Sequence, residues 1–84
     1  MKWQVQWTPR ALKDLKQLPP ATQKRIIAAV ERFAELGLGN VVLLTDVRPP
    51  EYRLRIGDWR ARFCKDSAAS CIQVLRVLPR DKAY

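Results

Sequence analysis

Between Glu51 and Phe63 the chain reads Glu51-Tyr-Arg-Leu-Arg-Ile-Gly-Asp-Trp-Arg-Ala-Arg-Phe63, a strict alternation of polar and apolar residues broken only at Gly57-Asp58. That pattern fits a β-hairpin and little else, because residues two apart share a face in a strand but scatter around a helix. Arg53 and Arg55 therefore point together, as do Arg60 and Arg62 after the turn. Tyr52, Leu54, Ile56, Trp59, Ala61 and Phe63 build the opposite, apolar face. A solvated face usually mixes Lys, Glu, Ser and Thr, so a set made only of arginine points to recognition of phosphate or carboxylate. An ordinary exposed hairpin face is the plain alternative.

The remaining segments supply what such a hairpin needs. Lys2 to Trp7 alternates, with Trp3, Val5 and Trp7 on one side, as a half-buried strand does. Thr8-Pro9 offers an N-cap followed by proline at the first helical position, and Ala11, Leu12, Leu15 and Leu18 follow at helical spacing up to the Pro19-Pro20 stop. Pro20 can open a second helix, whose stripe is Ile26, Ile27, Val30, Phe33 and Ala34 and whose end is Gly37 or Gly39. Residues 40–50 read as a connecting loop with an apolar patch, Val41 to Leu44, and a Pro49-Pro50 stop. A meander of three strands, about 51–56, 59–65 and 71–78, completes the chain. The expected fold is α+β, in the order β-α-α-β-β-β: a helical hairpin packed on a small, mostly antiparallel four-stranded sheet, one domain over residues 1–84.

A formal charge of +8 exceeds what solubility needs and calls for a polyanionic partner. Nucleic acid is the commonest, although an acidic protein or an anionic membrane surface would satisfy the same charge. No apolar run approaches a membrane span, the first residues lack the apolar middle of a signal peptide, and a cytoplasmic location is expected. The two cysteines, Cys64 and Cys71, flank a turn without metal-ligand spacing and are expected to be free thiols in strands. The chain has no histidine, which removes histidine-activated nucleophiles, histidine acid-base chemistry and most zinc sites. No metal or small-molecule cofactor is expected.

The tail holds a second basic cluster. Arg76 interrupts the apolar strand Ile72 to Leu78, where a charge must be paired or aimed at a ligand. Arg80, Lys82 and Tyr84 follow at the strand's exit, within reach of the hairpin arginines if the last strand pairs with the middle one.

The opening Trp3-Gln-Val-Gln-Trp-Thr-Pro-Arg-Ala-Leu-Lys-Asp-Leu15, Leu18-Pro-Pro20, Tyr52-Arg-Leu-Arg-Ile-Gly-Asp-Trp-Arg60, Leu75-Arg-Val-Leu-Pro-Arg80 and the closing Tyr84 together resemble the RelE/ParE toxins of toxin-antitoxin systems, over nearly the whole chain. The resemblance implies a metal-independent endoribonuclease that cuts messenger RNA in the ribosomal decoding site and is neutralised by a cognate antitoxin. The RNA's own 2′-hydroxyl would attack the adjacent phosphorus, so the protein must hold the phosphate in line and stabilise charge. By position in the motif, the resemblance implies catalytic roles for Arg53, Arg55, Arg60, Arg80 and Tyr84, and Arg62, Arg76 and Lys82 are expected to contact RNA.

The chain also departs from the pattern. Arg53 and Arg55 stand where relatives of the RelE type carry lysines, and Pro79 where many carry histidine. Arginine stays protonated, so proton transfer falls to Tyr84, Glu51, Lys82 or a ribosomal group. The Lys-rich loop of relatives is replaced by the apolar run before Pro50, which either packs internally or receives the antitoxin. Two other readings remain: a ParE-like inhibitor of DNA gyrase without hydrolytic activity, and a non-catalytic basic nucleic-acid-binding module.

Overall fold

The computed structural model describes residues 2–44, 48 and 50–82. Strand β1 (Gln4–Trp7) leads into helix α1 (Pro9–Lys16), which Thr8 caps by accepting the Ala11 N–H at 3.1 Å on its hydroxyl. The Pro19-Pro20 pair both ends that excursion and opens α2 (Pro20–Leu36). Gly37 closes α2 in the left-handed conformation, φ 71°, and its N–H returns to the Phe33 carbonyl. Ala11 and Leu15 on α1, with Ile26, Val30 and Ala34 on α2, are buried at the spacing the sequence sets. Leu12, expected in the same stripe, is exposed instead.

The sheet has five strands where four were expected. Strand β2 (Asn40–Leu44) lies within the segment read as a loop, and it pairs antiparallel with β3 (Glu51–Ile56) from Asn40↔Arg55 to Leu44↔Glu51. The run lacks alternation because an edge strand leaves side chains on both faces partly open, so apolar periodicity could not mark it; its Val41-Val42 pair was the β-propensity signal. Strands β4 (Trp59–Asp66) and β5 (Cys71–Pro79) continue the meander, and the order across the sheet is β1-β5-β4-β3-β2. Among the described residues only β1 and β5 run parallel, so the sheet is mostly antiparallel as expected.

One core fills the space between the helical hairpin and one sheet face, with Leu54, Ile56, Ala61, Phe63, Ile72, Val74 and Val77 meeting the helices. Tyr52 stacks on Phe63 at 5.3 Å between centroids, and Phe33 tilts against the same ring from α2. A β-bulge then decides which way the end of β5 faces. Phe63 pairs with Val74 but Arg62 pairs with Arg76, leaving Leu75 as the extra residue. Without that insertion Arg76 would face the core and Val77 the other side. With it, Arg76 joins the hairpin arginines.

Candidate nucleic-acid interface

Both helices pack on the apolar face, and the register builds an arginine array on the other. Asn40, Arg55, Arg60 and Leu78 form one row across four strands, and Val42, Arg53, Arg62 and Arg76 form the next. Like charges directly opposed across strands repel, so each guanidinium has to be accommodated individually.

The accommodation sorts the arginines into two kinds. Arg60 is 7% exposed, and its Nη1 donates to the Gly57 carbonyl at 2.8 Å and the Trp59 carbonyl at 2.9 Å, bracing the turn that precedes it. Arg62 pairs with Glu51, while its Nε is buried without a hydrogen-bond partner among the described residues. Arg76 donates from Nε and Nη2 to the two carboxylate oxygens of Asp14, at 2.7 and 3.3 Å. Arg53 is half-buried in the middle of its row. Arg55 is exposed and has no ion-pair partner among the described residues. Arg80 and Lys82 are exposed on a short 3-10 turn (Arg80–Lys82), and the Arg80 N–H donates at 2.8 Å to the Asp58 carbonyl, which ties the chain's exit to the hairpin turn. The expectation that the last strand brings Arg80 to the hairpin is therefore met, because Leu78, two residues earlier, pairs with Arg60. Tyr84 lies outside the described residues.

One basic residue at this end was not singled out by the sequence. Gly57 turns the hairpin with φ 58°, and a Cβ built there would stand 2.7 Å from a guanidinium nitrogen of Arg25 on α2. Nothing in the local spacing of α2 reports that proximity, which arises only when the helix docks. Gly57 is held by its positive φ, since the Arg25 guanidinium is the far end of a flexible side chain that can move aside.

Asp14 does more than neutralise Arg76. Beyond the end of β1 the edge of β5 would be bare, and there the Thr8 hydroxyl donates to the Leu75 carbonyl at 3.2 Å while Asp14 accepts the Val77 N–H at 3.0 Å. Burial pushes the Asp14 carboxyl up, but the Arg76 hydrogen bond, the Val77 N–H and the charges of Arg76 and Arg10 outweigh it and leave it below its ordinary value. A depressed acid stabilises the fold above its unfolded pKa of about 4, and that contribution is lost as pH falls through the lower folded value. Asp14→Ala should cost about 1–2 kcal/mol in denaturant unfolding at neutral pH. The gap from wild type should narrow on acidification; a gap that stays constant down to about pH 2 would show that the carboxylate charge does not hold this edge.

Cys64, on the arginine face beside Glu51, and Cys71 are both free, as expected. Burial and the Glu51 charge raise the Cys64 thiol against the opposing effect of Arg62, which disfavours its nucleophilic thiolate. Among the described residues no three His, Cys, Asp or Glu side chains gather as metal ligands would, and no helix is long and apolar enough to cross a membrane.

Comparison with known proteins gives a consistent relationship. The family model described as ParE toxin of type II toxin-antitoxin system, parDE, matches residues 5–84. The fold is similar to the archaeal RelE-RelB complex from Pyrococcus horikoshii OT3, with TM-score 0.80 and 24% identity over 99% of this chain and 100% of that one. It is also similar to the RelB-RelE antitoxin-toxin complex from Methanococcus jannaschii, with TM-score 0.75 and 26% identity over 95% of both chains. The toxin-antitoxin complex RelBE2 from Mycobacterium tuberculosis aligns with TM-score 0.66 and 29% identity over 95% of this chain and 100% of that one. No curated protein matches the chain.

Proposed function

Because this chain belongs to the ParE toxin family of type II toxin-antitoxin systems, within the wider RelE/ParE toxins, we propose that it acts as a ribosome-dependent endoribonuclease whose arginine face clamps the scissile phosphate of messenger RNA. The observation that carries this reading is the convergence of Arg55, Arg60 and Arg80 at the hairpin-turn end of the sheet, through the Arg55↔Arg60 register and the Arg80 tether to Asp58. A phosphodiester needs little covalent help from the protein. Its 2′-oxygen forms a bond to phosphorus while the bond to the 5′-oxygen breaks; the 2′-hydroxyl gives up its proton and the leaving oxygen takes one. Fixed cations are most valuable where charge grows on the pentavalent phosphorane. Arg55 and Arg80, exposed and unpaired among the described residues, are the groups free to meet a phosphate, with Arg53 beside them and Lys82 as a peripheral contact. Arg60 contributes from beneath as a buried positive charge that also braces the turn. Arg62 and Arg76 are already engaged by Glu51 and Asp14, so they serve this reading as parts of the frame and of the field. Tyr84 is assigned to orienting a base or a proton on its place in the motif. The partner that restrains the toxin is an antitoxin, as in the solved relatives, each a complex of toxin with antitoxin.

A second reading is favoured by a specific observation. The matching family is described as ParE, and every cation of the two central rows is an arginine, which carries charge but does not shuttle protons at neutral pH. Inhibition of DNA gyrase by contact would need no proton carrier. After induction in cells, primer extension should show cuts inside translated codons that vanish when translation initiation is blocked. Double-stranded DNA breaks with intact messages would establish gyrase inhibition in place of RNA cleavage.

A further inference from the structure

One acid stands within the arginine face. The row after Val42, Arg53, Arg62 and Arg76 is Leu44, Glu51, Cys64 and Gln73, since Leu44 pairs with Glu51, Cys64 pairs with Gln73, and the Tyr52↔Phe63 register continues by one residue. The three rows hold arginines and a single carboxylate, that of Glu51. Its side chain is 15% exposed and meets Arg62, whose own side chain is 25% exposed. A carboxylate so far withdrawn from water persists only where a cation compensates it.

The two acids that neutralise arginines in this chain's described residues are held differently. Asp14 takes Nε and Nη2 of Arg76 side-on and accepts the Val77 N–H as well, so it is part of the sheet edge. Glu51 meets Arg62 through one oxygen and Nη2 alone, and among the described residues its side chain makes no backbone hydrogen bond. Arg62 is left with a buried Nε that has no partner among the described residues. A guanidinium grips a carboxylate or a phosphate best through two parallel N–H bonds, so Glu51 fills half of a seat. An orphaned buried donor is costly, and an anion that offers oxygens to both Nε and Nη2 would relieve it.

The seat lies where a nucleic-acid strand would bring a second anion. Arg53 and Arg55 are two residues apart on β3, as are Arg60 and Arg62 on β4, which separates the two rows by about 7 Å. That is close to the phosphate-to-phosphate step of an extended single strand. A phosphate held by Arg55 at the turn end therefore leaves its neighbour over the row of Arg53 and Arg62.

We propose that Glu51 is a built-in stand-in for a phosphate, holding the Arg62 guanidinium in the free chain and yielding it to the second phosphate of a bound RNA strand. This role rests on the reading that the arginine face meets RNA, and it adds a subsite and a control on affinity. Any strand that engages Arg62 must first displace a carboxylate, which holds down the affinity for stray RNA.

The test reads binding, by the intact chain, of a short fluorescein-labelled single-stranded RNA whose 2′-hydroxyls are methylated so that it cannot be cut. Glu51→Gln keeps the shape and a hydrogen-bond acceptor for Arg62 but removes the charge. It should bind about fivefold tighter than wild type or more, with a salt dependence steeper by about one phosphate contact. Glu31→Gln, on the exposed surface of α2, makes the same change in net charge away from this face and should stay within about twofold of wild type. The Glu51→Gln/Arg62→Gln double variant should lose the gain, because the released guanidinium is its source. In the wild-type chain, the Arg62 Nε–H signal in nuclear magnetic resonance should shift as the strand is added, a readout that needs no variant to fold. Binding by Glu51→Gln no tighter than wild type, an equal gain from Glu31→Gln, a gain that survives the loss of Arg62, or an unmoved Arg62 signal at saturation would each overturn the proposal. A chain that binds the strand in the expected pattern yet leaves messages uncut would contradict the ribonuclease reading and leave the role of Glu51 standing.

Discussion

Arg60→Ala should lower the unfolding free energy by about 2–4 kcal/mol, the largest stability effect expected of any arginine in the chain. Its side chain is 7% exposed, and one guanidinium nitrogen satisfies the Gly57 and Trp59 carbonyls together. Truncation removes two charge-assisted bonds and leaves a buried void beside the turn. A chain of this size has about 4–12 kcal/mol in all, so the variant should unfold on the order of 10–25 °C lower than wild type. Arg60→Lys keeps the charge but loses the planar fork, and it should fall between the two. Thermal unfolding followed by circular dichroism checks this. An unchanged midpoint in Arg60→Ala would mean that the buried guanidinium does not hold the turn.

Arg80→Ala should do the reverse, leaving stability within about 0.5 kcal/mol of wild type while reducing cleavage by about 10²-fold to 10³-fold. The side chain is exposed, and the bond that anchors this part of the chain is made by the Arg80 backbone N–H, which alanine retains. On the proposed reading, the guanidinium is then available to a phosphate and not needed by the fold. The expected loss corresponds to about 3–4 kcal/mol of transition-state stabilisation, the size seen when one preorganised donor to a developing negative charge is removed. A peripheral phosphate contact would behave differently, weakening ribosome binding and its salt dependence with little change in the rate of the bound complex. Denaturant unfolding and single-turnover rates, measured on the same preparation, separate these outcomes.

The contrast between Arg60 and Arg80 marks where sequence reading reached and where it stopped. Period-two alternation around Gly57-Asp58 was enough to place Arg53, Arg55, Arg60 and Arg62 on one sheet face and Leu54, Ile56, Ala61 and Phe63 on the other, since side-chain direction in a strand follows from parity alone. The Thr8-Pro9 cap and the Pro19-Pro20 break likewise set the helix boundaries from local chemistry. Burial is a tertiary property and was not legible in that way. Four arginines equivalent by pattern became one buried brace at Arg60, one acid-paired side chain at Arg62, a half-buried Arg53 and an exposed Arg55. The Leu75 bulge was equally hidden, because a single inserted residue leaves composition and propensity unchanged while it reverses the facing of Arg76 and Val77. Strand β2 escaped because its apolar residues do not alternate. The ion pair between Asp14 and Arg76 joins residues far apart in the chain, and only the docking of α1 against β5 brings them together.

The claim that matters most is that exposed arginine at the hairpin-turn end of this sheet acts on a phosphate of messenger RNA. Single-turnover cleavage of a defined message on programmed ribosomes tests it directly, with wild type and Arg80→Ala compared under saturating protein. The account predicts strand scission in the decoding site by wild type and a rate lower by about 10²-fold or more in Arg80→Ala, with ribosome binding largely kept. No scission by wild type, or the same rate in both proteins, would contradict it.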